Sequence, residues 1–124
     1  MKLIIQIPCF NEEGTLKQTL DDLPKKIVGI KSIEILIIDD GSSDNTVKVA
    51  KQNNVNHIIS HKKNLGLASA FMTGIKYALK NQADIIINTD ADNQYSGKDI
   101  EKLIKPILNN KADIVIGARP IKNH

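Results

Sequence analysis

Apolar positions along this chain fall into two alternating periods. KLIIQIP (2–8) is a β-branched run of strand length, whereas EEGTLKQTLDDLPKKI (12–27) sets Leu16, Leu20 and Leu23 at helical spacing. Asn11 stands where an N-cap is expected, and Pro24 where a helix ends or kinks. IEILIID (33–39) predicts a second strand, and TVKVAKQNN (46–54) a helix capped by Ser43 or Asp44. NHIIS (56–60) predicts a short third strand. GLASAFMTGIKYALKN (66–81) carries the clearest helical pattern: Gly66, Ala70, Gly74 and Ala78 form a row of small residues, beside Leu67, Phe71, Ile75 and Leu79. DIIINT (84–89), GKDIEKLIKPILNN (97–110) and ADIVIGA (112–118) read as strand, helix and strand.

Strands two, four and five are nearly continuous apolar runs, which suits parallel strands covered on both faces. Strand and helix alternating with short loops predict an α/β fold, a doubly wound and mostly parallel sheet within one domain, 1–124. An open parallel sheet normally continues past its fifth strand. The ending GARPIKNH therefore suggests the N-terminal part of something longer, truncated at its C-terminus.

Composition narrows the function classes. With 124 residues, 41% hydrophobic and 25% charged, the chain can bury a core of its own. Its formal charge of +3 comes from scattered lysines, with no Trp, two Tyr and two Phe, a poor set for stacking on bases. No nucleic-acid partner is expected. Cys9 is the single cysteine, which fits a reducing, cytoplasmic compartment. No apolar run approaches the ~18 residues of a membrane span.

The polar residues cluster where strands end: CFNEE after the first, DDGSSD after the second, HKKN after the third and DADNQ after the fourth. In a doubly wound sheet these ends share one edge, where ligands bind. Glu12, Asp39, Asp40, Asp90 and Asp92 are thus expected to converge from distant sequence. The chain has no G-x-x-x-x-G-K-[ST] loop, and no G-x-G-x-x-G follows the first strand, so a phosphate ligand at this acidic edge needs a divalent cation. Mg²⁺ or Mn²⁺ accepts one or two carboxylates and completes its shell with waters and substrate phosphates. Asp90 and Asp92, one residue apart, suit such an ion carrying a nucleotide diphosphate, with Gln94 as an amide-oxygen ligand. Against this stands a solvated turn or cap, the commoner meaning of a lone Asp-x-Asp. Asp39 or Asp40 can accept a hydrogen bond from a base, Asp44 reads as a cap, and Arg119 is placed to hold a phosphate. His57 and His61, ~13 Å apart along a strand, are too far apart to share an ion and read as surface residues. Cys9 reads as a small, partly buried side chain.

IPCFNEE, IEILIIDDGSSDNT, NLGLASAFMTGIKYAL, TDADNQY and ADIVIGARP together resemble the nucleotide-sugar-binding half of a family 2 glycosyltransferase, in its dolichol-phosphate mannosyltransferase-like branch. The resemblance implies a GT-A fold that binds a nucleotide-diphosphate sugar and Mg²⁺ or Mn²⁺. It places Pro8, Phe10 and Glu12 along the nucleoside, and Ile38 and Asp40 beside the base, with Asp40 bonding to it. Asp92, the residue assigned as catalytic, would ligate the metal directly; Asp90 would hold the metal or the ribose; Ala91 would contact the nucleotide through its backbone. Gln94 would complete the metal site, and Arg119 would face the diphosphate.

Two sites depart from the family pattern, one residue and one tripeptide: Phe10 stands where many relatives carry Tyr, and Tyr95-Ser96-Gly97 where His-Pro-Pro is common. The implied reaction is inverting transfer of the sugar to a polyprenyl phosphate or to a glycan or lipid hydroxyl, in cell-envelope synthesis. The implied setting is the cytoplasm, with membrane association only through a part C-terminal to this sequence, and self-association where truncation leaves apolar surface. A fragment that binds donor without transferring, a metal-dependent nucleotidyltransferase and a receiver-type signalling domain are the competing readings. The nucleotidyltransferase would want a Gly-rich basic loop in place of CFNEE. The receiver would want its acid pair after strand one.

Overall fold

The structure is a computed structural model that describes residues 1–91, 97–110 and 115–116, with backbone alone at 97–98, 106–107, 109–110 and 115–116. Strands β1 (Lys2–Cys9), β2 (Ser32–Asp39), β3 (His57–Ser60), β4 (Ile85–Asn88) and β5 (Val115–Ile116) alternate with helices α1 (Leu16–Asp21), α2 (Thr46–Gln52), α3 (Leu67–Lys80) and α4 (Gly97–Asn110). The strands form one sheet in the order β3-β2-β1-β4-β5, and every pairing is parallel. The chain thus winds outward from β1 to β3, then returns across the sheet to β4. That reversal leaves a crevice between the carboxyl ends of β1 and β4.

Burial follows the strand period. Leu3, Ile5, Ile7 and Cys9 face one side, where Leu16 and Leu20 of α1, Ala50 of α2, and Ile100 and Ile104 of α4 complete a core. Ile4 faces the other side with Leu36, Ile38 and Ile86, under Ala70, Ile75 and Ala78 of α3. The row of small residues brings α3 close to the sheet: a β-carbon on Gly74 would lie 2.6 Å from Gln6 Oε1 and 2.8 Å from Ile38 Cδ1.

The helix ends show where sequence expectations need correction. The first helix occupies Leu16–Asp21: it ends ahead of Pro24 as expected, but it starts four residues after Glu12, and its N-cap is Thr15, not Asn11. Residues 12–15 make a turn closed by the Thr15 and Leu16 amides on the Glu12 carbonyl, at 3.1 and 3.0 Å. Pro24 disfavours helix in the residue before it, so the chain leaves the helix there. Asn11 has φ 53, and instead of capping it ties the exit of β1 to the exit of β2. The second helix ends at Gln52, two residues short of the expected Asn54, which takes φ 55 and so breaks the helical run.

Candidate functional site

A cleft of about 290 Å³ opens at the carboxyl edge of the sheet, between the ends of β1 and β4. Pro8, Phe10 and Glu12 line it from the first strand, Asp40 from the second, and Asp90 and Ala91 from the fourth; Asn64, Gly66 and Ala70 close it from the start of α3. Pro8, Phe10, Glu12, Asp40, Asp90 and Ala91 are therefore brought together. Ile38 is fully buried in the α3-side core and does not line the cleft. Asp92, Gln94 and Arg119 lie outside the described residues.

The loop after β2 holds the loop after β1. Ser42 Oγ accepts the Asn11 amide (2.8 Å), Thr46 Oγ1 the Glu12 amide (2.9 Å) and Asp44 Oδ2 the Glu13 amide (3.2 Å). Asn11 Oδ1 in turn accepts the Ser43 amide at 2.8 Å. Asp44 also accepts the Thr46 amide at 2.9 Å and the Thr46 hydroxyl, so it ties the first residue of α2 to CFNEE, although the N-cap of α2 is Asn45 and not the expected Ser43 or Asp44. Burial works to raise its pKa, but these bonds prevail and hold the carboxyl below its ordinary value.

On the opposite wall, the middle residue of the Asp-x-Asp is buried, and its carbonyl oxygen lies 2.9 Å from the hydroxyls of both Thr15 and Thr19. Thus α1 fixes the segment that carries Asp90. Phe10 keeps 45% of its surface exposed at the cleft, a free ring face against which a planar group can stack.

Asp40 is 4% exposed, and its carboxylate is fully engaged. Oδ1 accepts His61 Nδ1 (2.8 Å) and the Leu65 amide (2.9 Å); Oδ2 accepts Asn64 Nδ2 (3.1 Å) and the Gly66 amide (2.9 Å). Burial pushes its pKa up, but the bonds from His61, Leu65 and Gly66 outweigh it and hold the carboxyl below its ordinary value. Asp39 points elsewhere: its oxygens lie 3.4 Å from the Ser42 amide, and it does not line the cleft.

Both histidines correct the surface reading. His61 joins Asp40 to Thr73 Oγ1 (2.9 Å), while His57 bridges Glu34 (2.7 Å) and the Tyr77 hydroxyl (2.9 Å) near the amino ends of the strands. The wall built by Asn64 and Gly66 was also missed. Its signal in the sequence is HKKN, one of the polar clusters at the strand ends.

The donors offered to a cation are hard. Carboxylates of Glu12 and Asp90 line the cleft, whereas the Cys9 thiol is buried and raised far above its ordinary pKa, first by that burial and then by Glu12, Asp39 and Asp44. Oxygen donors with no thiolate fit Mg²⁺ or Mn²⁺. Among the described residues, no three His, Cys, Asp or Glu side chains form a metal-binding group. Asp92 and Gln94 of the expected set lie outside them.

Residues 4–124 match the profile of "Glycosyl transferase family 2". This chain belongs to that family. It is 38% identical over 133 residues to the UDP-N-acetylglucosamine–dolichyl-phosphate N-acetylglucosaminyltransferase of Methanococcus voltae, spanning 94% of this chain and 51% of that protein. It is 34% identical over 125 residues to the dolichol-phosphate mannosyltransferase of Pyrococcus furiosus, spanning 98% of this chain and 34% of that one. The family 2 chain thus spans about half the length, or less, of such relatives.

In fold it matches glucosyl-3-phosphoglycerate synthase of Mycobacterium tuberculosis, solved with Mn²⁺, UDP and glucosyl-3-phosphoglycerate. The TM-score is 0.71 at 20% identity, over 86% of this chain and 39% of that one. The doubly wound, parallel GT-A reading holds, and the nucleotidyltransferase and receiver readings fall. No helix among the described residues is long and apolar enough to cross a membrane.

Proposed function

We propose that this chain is the donor-binding part of an inverting glycosyltransferase that moves a sugar from a nucleoside diphosphate to a polyprenyl phosphate. The observation that carries the reading is the cleft at the switch point of the sheet, where Phe10, Asp40 and Asp90 meet from three strand ends. The acceptor class is supported by relatives at 38% and 34% identity, both named for dolichyl-phosphate acceptors.

Pro8, Phe10 and Glu12 bound the nucleoside, with the Phe10 ring stacking where a tyrosine would also donate a hydrogen bond. Asp40 sits at the base end, beside the buried Ile38. Asp90, Asp92 and Gln94 would hold Mg²⁺ or Mn²⁺, which would supply positive charge to offset that building on the diphosphate leaving group. Arg119 supports the same charge with its guanidinium. The acceptor phosphate is already anionic, so its oxygen attacks the anomeric carbon without a general base. The carbon–oxygen bond to the diphosphate breaks on the opposite face, and configuration inverts. A hydroxyl acceptor would instead need a carboxylate base. The polyprenyl chain would bring the whole enzyme to the cytoplasmic face of a membrane.

Calorimetric titration with UDP, GDP and CDP, with and without Mn²⁺, tests the donor site. Binding to at least one of them that requires the metal, and is lost in Asp92→Asn, is expected. Metal-independent binding, or none by a folded sample, overturns the reading.

A further inference from the structure

We propose that His61 is a positioning residue for the nucleotide site, setting the Asp40 carboxylate and through it the turn that walls the cleft. The inference rests on the donor-site reading and adds a residue to it. An ionised carboxylate only accepts hydrogen bonds, so His61 presents its Nδ1 proton to Asp40 Oδ1 at 2.8 Å. The other ring nitrogen lies 2.9 Å from Thr73 Oγ1 on α3, which fixes the ring from behind. In the neutral ring, the Thr73 hydroxyl donates to Nε2. The side chains of His61 and Asp40 are only 10% and 5% exposed, so little solvent competes for these bonds.

Asp40 is the hub of the wall. The Asn64 side chain and the Leu65 and Gly66 amides converge on the same carboxylate, and Asn64 and Gly66 line the cleft with it. A carboxylate has about four acceptor directions, and here four donors fill them. Removing the His61 donor frees one direction on Oδ1 and allows the carboxylate to turn. The placement of Asn64 and of the Leu65–Gly66 backbone along the cleft wall then changes with it. Nothing here requires His61 to touch the ligand.

The test is titration of the full chain with UDP, GDP and CDP plus Mn²⁺, comparing wild type with His61→Phe, His61→Asn and Thr73→Val. Asparagine can replace the Nδ1 donor, whereas phenylalanine keeps only the ring. His61→Phe is expected to weaken the best-bound nucleotide by about tenfold, the scale of one charge-assisted hydrogen bond. It should weaken the poorest one less, so discrimination between bases narrows. His61→Asn should recover most of the loss, and Thr73→Val should show a smaller loss of the same kind. Equal losses for every nucleotide, or no rescue by asparagine, would mean that His61 merely supports the fold and would overturn the proposal. Wild-type affinities in folded His61→Phe would overturn it too, while leaving the donor site standing. If His61→Phe does not fold, Thr73→Val decides by the same criterion. No nucleotide binding by wild type would remove the donor-site reading and this inference together.

Discussion

The hydroxyl of Thr19 in α1 lies 2.9 Å from the carbonyl oxygen of Ala91, the residue between the two aspartates expected to hold the metal. A helix far away in sequence therefore sets the backbone that carries Asp90. Thr19 is 5% exposed and Thr15 shares the same carbonyl, so the anchor is double and mostly dry.

Thr19→Val keeps the shape of the side chain and removes one of the two hydroxyls. Stability should fall by about 1 kcal/mol, since Thr15 still reaches the carbonyl. Mn²⁺-dependent nucleotide affinity should fall further in Thr15→Val/Thr19→Val than in either single variant. Urea unfolding and calorimetry on the same samples separate the two effects. Unchanged affinity in the double variant would mean that α1 does not position the Asp-x-Asp.

Two glycines near Asp40 separate steric from conformational strain. Gly41 has φ +77, and a β-carbon there would meet the Lys63 carbonyl carbon at 2.5 Å; Gly66 has φ +102 with nothing within 4 Å. Alanine at 66 meets only the cost of its positive-φ, extended backbone (φ 102, ψ 161), about 1–3 kcal/mol. Alanine at 41 adds a backbone clash that no rotamer change can relieve, for a total of about 2–4 kcal/mol. The order Gly41→Ala worse than Gly66→Ala is the expected result of denaturant titration, and the reverse order would contradict the packing of the 62–66 loop over β2.

Acid should loosen the fold through carboxylates whose hydrogen bonds exist only when they are ionised. Glu34 is held low first by His57, against opposing burial and with help from Lys2; Asp40 is held low by His61, Leu65 and Gly66 despite its burial. A folded pKa below the unfolded value stabilises above the unfolded pKa, about 4 for these groups, and the contribution disappears as pH falls through the folded value. The urea midpoint should therefore drop on going from pH 5 to pH 3. Asp40→Asn starts less stable but should lose less over that interval. An equal slope in both proteins would exclude Asp40 as a source.

The element order and the existence of an acidic edge were legible because they depend on periodicity and on where strands stop. Leu16, Leu20 and Leu23 announced a helix, yet nothing local said that residues 12–15 would give their amides and carbonyls to a turn and to the 42–46 loop. The small-residue row of α3 was readable as close packing, and Gly74 over Gln6 is that contact. His61 was not readable. A strand-end histidine beside two lysines looks solvated until the fold delivers Asp40 and Thr73 to its two nitrogens. Ile38 shows the opposite limit: a position carried over from relatives proved to be core beneath the cleft, since side-chain alternation along β2 turns it toward α3.

Cys9 lies at the cleft, where a nucleophile would be placed, but its chemistry is suppressed. It is 2% exposed, and its thiol lies 3.4 Å from the Ile7 carbonyl as a weak donor. Burial first, then the negative charges of Glu12, Asp39 and Asp44, push its pKa well above the ordinary thiol range. Thiolate is the reactive form, so a disulfide reagent or iodoacetamide at pH 8 should modify the folded protein at least about 100-fold more slowly than the protein in 6 M guanidinium. Because the carboxylates raise the thiol pKa only while they are charged, neutralising Glu12 as Glu12→Gln should speed the folded-state reaction modestly without matching the unfolded rate. Cys9→Ala should preserve Mn²⁺-dependent nucleotide binding. Rapid stoichiometric labelling of the native protein, or loss of binding in a folded Cys9→Ala, would make the thiol a participant in the site.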